Sequence, residues 1–146
     1  MALLTRVRLA SIEPRKRGVS AVEAALLMPL VAIVLFALLE YGWMFLKANQ
    51  IQAAARHGAR VGAVEAASSA DITAAVAQAM TGAGLGGSGY VLTIVPSEAA
   101  SAPVGTIVSV TVSVPYANIE LMGMPFLPAP VDLAAATSMA KEGQLP

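Results

Sequence analysis

VSAVEAALLMPLVAIVLFALLEYGWMFL, residues 19–46, decides the fold. From Ala24 to Leu39 the 16 residues carry no charge and no amide. As a helix they rise ~24 Å at ~1.5 Å per residue. With their flanks they match a hydrocarbon core ~30 Å thick. A secreted leader has a shorter apolar core, roughly 7–15 residues, closed by small residues. Here the run ends in Tyr41, Trp43 and Phe45. A globular core is also a poor host, because about 100 residues cannot wrap a helix that is apolar on all sides. The expectation is a retained transmembrane helix over 19–46.

Charge orients that helix. The 146-residue chain is neutral overall, with only 12% charged residues and 57% hydrophobic ones. Residues 1–18 hold Arg6, Arg8, Arg15, Lys16 and Arg17 against Glu13, a net of +4; the remainder carries −4. A basic flank stays cytoplasmic, so 1–18 is expected inside and 47–146 exported. Zero net charge gives no support for nucleic-acid binding. The chain has no cysteine, which excludes disulfides, thiolate metal sites and thiol nucleophiles. The single histidine, His57, has no ligand-spaced acid near it, so no metal or cofactor is expected. No catalytic constellation is present, and the chain is not expected to be an enzyme.

Two acids bracket the uncharged run. Glu23 and Glu40 are 17 residues apart, ~25 Å along a helix. Each can therefore sit near one membrane face, away from the centre where a charge costs ~2.5–3.5 kcal/mol. Tyr41 and Trp43 beside Glu40 fit an outer aromatic belt.

The string Arg15-Lys16-Arg17-Gly18-Val19-Ser20-Ala21-Val22-Glu23 resembles the processing site of type IV pilin-like precursors. Those carry a basic leader ending in Gly and a mature chain with Glu as its fifth residue. The segment 21–30, AVEAALLMPL, is similar to the A-V-E-F-A-L-x-x-P-L start of TadE-like proteins, minor pseudopilins of the tight-adherence (Tad/Flp) pilus system. Leu38-Leu39-Glu40-Tyr41-Gly42 resembles that family's second acidic position. Residues 54–60, AARHGAR, resemble its A-A-R-E-G-A-R signature. Ala24 departs from the usual aromatic and His57 from the usual Glu.

The resemblance implies removal of leader 1–18 by a prepilin peptidase between Gly18 and Val19. Glu23 would pair with the new N-terminal amine of a neighbouring subunit. Pro29, Glu40, Arg56, Gly58 and Arg60 are implied assembly or packing positions. Implied partners are other pilins or pseudopilins, the inner-membrane assembly platform and membrane lipid. The implied role is assembly of an adhesive pilus, from the inner membrane or within the fibre. The alternative is an uncleaved single-pass anchor presenting a small exported binding domain.

The exported half reads as α+β. Alanine-rich sequence without proline extends the helix to about Ala67. Gly58 and Gly62 have the spacing that admits a close neighbour, either the protein's own sheet or another helix. Arg56 and Arg60 share a face. Ser68 to Asp71 reads as an N-cap, followed by a short helix with Ile72, Ala75, Val76, Ala79 and Met80 on one side and Gly82 at its end. Residues 82–89 contain five glycines in eight and read as a flexible link. Strands are expected over 90–95 and 107–114, and over 131–140, where alanine content leaves helix open. Three strands can form an antiparallel sheet that covers the helices. The four-proline loop 115–130, with Leu121, Met122, Met124, Phe126 and Leu127, is expected to cover the core or to meet a partner.

Overall fold

A computed structural model describes residues 16–125 and 127–143. Most of leader 1–18, and Phe126, lie outside the described residues. The order is α1 (Lys16–Ala63), α2 (Ser69–Gly82), β1 (Val91–Val95), β2 (Ile107–Pro115), a 3-10 turn (Tyr116–Asn118) and β3 (Asp132–Ala140). The fold is α+β, as expected. Two compact units divide the chain, Met1–Phe36 and Ala37–Pro146.

In the first unit α1 is apolar all round. From Ala21 to Phe36 its described side chains are exposed, Ala32 alone being half-covered. Leu26, Met28 and Leu30 are each more than half exposed. Exposing one such side chain to water forgoes ~1.5–3 kcal/mol of burial, so water is the wrong solvent for this run. The helix is long and apolar enough to cross a bilayer. Pro29 lies inside it; a proline removes one backbone hydrogen bond, a loss that membrane helices accommodate.

In the second unit one stripe of α1 faces the domain. Ile51, Ala54, Ala55, Gly58, Ala59, Gly62 and Ala63 are buried, at the i, i+3, i+4 spacing of an amphipathic helix. Its small members allow close approach. A Cβ added at Gly58 would lie 2.5 Å from Val76 Cγ2 on α2 and 3.3 Å from Val110 Cγ1 on β2. At Gly62 it would lie 2.9 Å from both Ile72 Cδ1 and Val108 Cγ1. Both glycines therefore fill the place where α1 meets α2 and the sheet together.

The sheet has order β1-β2-β3, antiparallel throughout. Val108, Val110, Val112 and Val114 of the central strand are fully buried, as strict alternation demands. Segment 132–140 resolves as a strand. Ala135 pairs with Val112 and is buried, a place where a small side chain fits the face. Gln52 Nε2 on α1 donates to Thr137 Oγ1 at 3.0 Å.

Two expectations are corrected. Helix α1 ends at Ala63, short of Ala67. The Ala63 carbonyl, which the Ala67 N–H would use in a longer helix, accepts instead from Glu142 N–H at 2.7 Å. Ala66 then turns with φ 63°. The glycine-rich segment is also a fixed turn, where a flexible link was expected. Leu85 N–H donates to Met80 O at 2.8 Å and Gly84 N–H to Thr81 O at 3.0 Å. Gly84 supplies the positive φ of 69°, closing α2 in a Schellman motif. Leu85 and Met80 are both buried beneath it.

At its other end α2 carries a full capping box between Ser68 and Asp71. The Ser68 hydroxyl, then the Ser68 N–H, hold the Asp71 carboxyl below its ordinary pKa. The sign follows: this contribution is present above the ordinary Asp range and is lost as pH falls through the lowered folded value. Acidification should therefore fray residues 69–73, read as loss of helical Cα shifts by NMR. Asp71→Asn should abolish that titration.

Candidate functional site

The domain-facing stripe of α1 continues back from Ile51 through Lys47, Met44 and Trp43 to Glu40. Glu40 and Gly58 are 18 residues apart, about five turns, so they share a face. At the Gly58 end the stripe is small and apolar. At the Glu40 end it is polar, and it grips the segment after β2.

Glu40 is only 5% exposed. Its carboxylate accepts from Tyr116 Oη at 2.5 Å, from Leu121 N–H at 3.3 Å and from Met122 N–H at 3.0 Å. Trp43 Nε1 donates to Ile119 O at 2.7 Å, and Tyr41 Oη to Pro128 O at 3.0 Å. Lys47, also buried, holds its Nζ 4.5 Å from the Trp43 ring centroid, a cation–π arrangement. One turn of α1 thus supplies three side chains to segment 116–128.

The segment has little structure of its own. Tyr116 N–H donates to Val131 O, and the Tyr116 carbonyl accepts from Ile119 and Glu120 N–H, all at 2.9 Å. Asn118 Nδ2 donates to Ser88 O at 2.9 Å. Tyr116 and Ile119 are buried, whereas Leu121 and Met122 remain exposed. Burial first, and then the hydrogen bond to Glu40, push the Tyr116 hydroxyl well above its ordinary pKa. It therefore stays a proton donor at any physiological pH. A carboxylate with its oxygens occupied by three donors is a mechanical tie.

The other residues singled out in the sequence are distributed differently. Gly18 and Val19 lie on helical backbone within α1, with side chains outside the described set. Glu23 and Pro29 are exposed. Arg56, His57 and Arg60 are exposed on the side of α1 away from the buried stripe, while Gly58 is packed into the core. Lys141 was not anticipated. It is buried, and its Nζ donates to Ala99 O and, at 3.2 Å, to Ala100 O. A lone lysine after an alanine-rich strand gives no sequence signal for this. Tyr116 was also missed, because nothing in the local sequence links it to a carboxylate 76 residues earlier.

Fold and site together define a small α+β domain built onto the distal half of an apolar helix able to anchor it in a membrane. Residues 18–60 match the family model of TadE-like proteins. The match runs from the Gly18–Glu23 string through Glu40 to the AARHGAR segment, so this part of the chain is similar to TadE-like proteins. No curated protein and no solved structure matches the chain.

Proposed function

We propose that the protein is a minor pseudopilin taking part in Tad pilus assembly. The carrying observation is that the TadE-like match begins at Gly18 and spans both the exposed apolar helix and the buried glycine-lined stripe. A prepilin peptidase cuts between Gly18 and Val19, leaving a free amine at the bilayer edge. Glu23, exposed on α1, pairs with the amine of a neighbouring subunit. Each charge entering apolar surroundings carries a desolvation cost that pairing offsets, so assembly favours one axial register. The basic leader keeps the N-terminus cytoplasmic and the domain is exported. Partners in this reading are the peptidase, other pilins or pseudopilins, the inner-membrane assembly platform and lipid.

The test is N-terminal sequencing of protein from membranes and sheared pili, for wild type and Glu23→Gln. Wild type should begin at Val19. Glu23→Gln should be inserted and cleaved yet fail to support piliation. Breaking one side of a buried pair costs ~3–5 kcal/mol, and even ~1.4 kcal/mol weakens association tenfold. A dominant Met1 species would favour the uncleaved anchor with an exported binding domain, and normal piliation by cleaved Glu23→Gln would overturn the pairing of Glu23 with a neighbour's amine.

A further inference from the structure

We infer that residues 121–125 and 127–131, between Glu120 and Asp132, form a second membrane contact, a foot that lies in the outer headgroup region while Glu40 ties it to α1. This rests on the membrane-anchored reading of α1 and adds a lipid-binding surface to the domain.

Depth is the first observation. The uncharged run of α1 ends at Leu39, one residue before Glu40. Side chains on a helix lean toward its N-terminus, which here is the direction of the apolar run. The Leu121 and Met122 amides bonded to the Glu40 carboxylate therefore lie level with the end of that run.

Chemistry is the second. From Leu121 to Val131 the segment has no charged residue, although Glu120 and Asp132 bracket it. Leu121, Met122 and Val131 expose much of their side chains. A stretch that is charged at both ends and apolar between them has the pattern of a loop that dips into an interface and returns. Trp43 and Tyr41, whose polar atoms bond the segment's carbonyls, are the residue types enriched at that depth.

The third observation selects lipid over a neighbouring subunit. Leu38 with Phe45, and Leu39 with Leu46, are two pairs seven residues apart that form one exposed apolar stripe of α1 in the same compact unit, across the helix from Glu40 and from the exposed Leu121 and Met122 that it holds. Apolar surface therefore lies on both sides of α1 at this level, whereas a partner chain covers one side. A bilayer covers all sides.

The chain has no cysteine, so single-cysteine variants take one label each. Met122→Cys, Ala136→Cys on exposed β3 and Leu30→Cys in the apolar run should be labelled with an environment-sensitive fluorophore. The full-length chain is then placed in phosphatidylcholine–phosphatidylglycerol vesicles carrying a nitroxide high on the acyl chain. The label at 122 should be blue-shifted and lose most of its emission to the nitroxide, while that at 136 should be unaffected. Leu121→Cys, on the adjacent exposed residue, should repeat the result. Quenching at 30 with none at 121 or 122 would overturn the foot and leave the anchor standing. No quenching at 30 would overturn both. Emission at 122 that shifts with protein concentration and ignores the nitroxide would assign the surface to a second copy.

Discussion

Gly58→Leu is expected to cost the domain about 3 kcal/mol or more, the upper end of what overpacking does to a core. The first added atom would already sit 2.5 Å from Val76 Cγ2, and Leu adds three more carbons. Neither neighbour can yield cheaply. Val76 and Val110 are fully buried, on different elements, so relief requires α1 to move away from both α2 and the sheet. The gain in helix propensity over glycine, ~1 kcal/mol, does not offset this. A domain of this size has ~5–15 kcal/mol of total stability, so the loss is a large share. Denaturant unfolding in detergent, followed by far-UV circular dichroism and by Trp43 fluorescence, measures it. Arg56→Ala, on the exposed side of the same helix, should stay within ~0.5 kcal/mol of wild type. Equal losses for the two variants would show that the glycine is not where the elements converge.

The same contrast shows what was legible in sequence. The apolar run was readable because it is long and unbroken. The β2 valines were readable because period-2 alternation is local. Ser68 and Asp71 announced their cap for the same reason, since both partners of the capping box lie within four residues. The small-residue stripe at 54–63 was visible as spacing, but its occupant was open. Nothing local says whether Gly58 faces a sheet or another subunit, and the answer depends on Val76 and Val110, far along the chain.

The misses share one cause. The glycine-rich segment reads as flexible by composition, but Leu85 anchors it in a core that only exists once α2 and the sheet have met. Helix α1 stops at Ala63 because Glu142, almost 80 residues later, takes the carbonyl of its last residue. Glu40 was recognisable as an acid at a membrane boundary, and its neighbours Tyr41 and Trp43 as interfacial aromatics. Their partners all come from the segment after β2, which shows no periodicity and whose prolines read only as loop. Long-range polar ties of this kind leave no spacing signal in the sequence.

Glu40→Ala should therefore do more than its place on the aromatic border of the apolar run would imply. If Glu40 were merely an acid at the interface, removing it would ease insertion and leave the domain unchanged. In the structure it is the common acceptor for Tyr116 Oη and two backbone amides. Truncation strands a buried hydroxyl and two part-buried N–H groups. Each stranded donor costs ~1–3 kcal/mol, so a total near 3 kcal/mol is expected once water reaches the outer amides. Tyr116→Phe removes one donor and should cost ~1.5–3 kcal/mol, the range for a hydrogen bond to a charged group. The two should not add. Once Glu40 is absent the Tyr116 hydroxyl has nothing to lose, so the double variant should fall short of the sum by ~1 kcal/mol or more. Trp43 is the sole tryptophan and its Nε1 bonds Ile119 O inside the same clamp. Release of the segment should therefore also red-shift its emission in Glu40→Ala, and less so in Tyr116→Phe. Additive losses with an unmoved Trp43 spectrum would mean that the carboxylate does not hold the segment to α1.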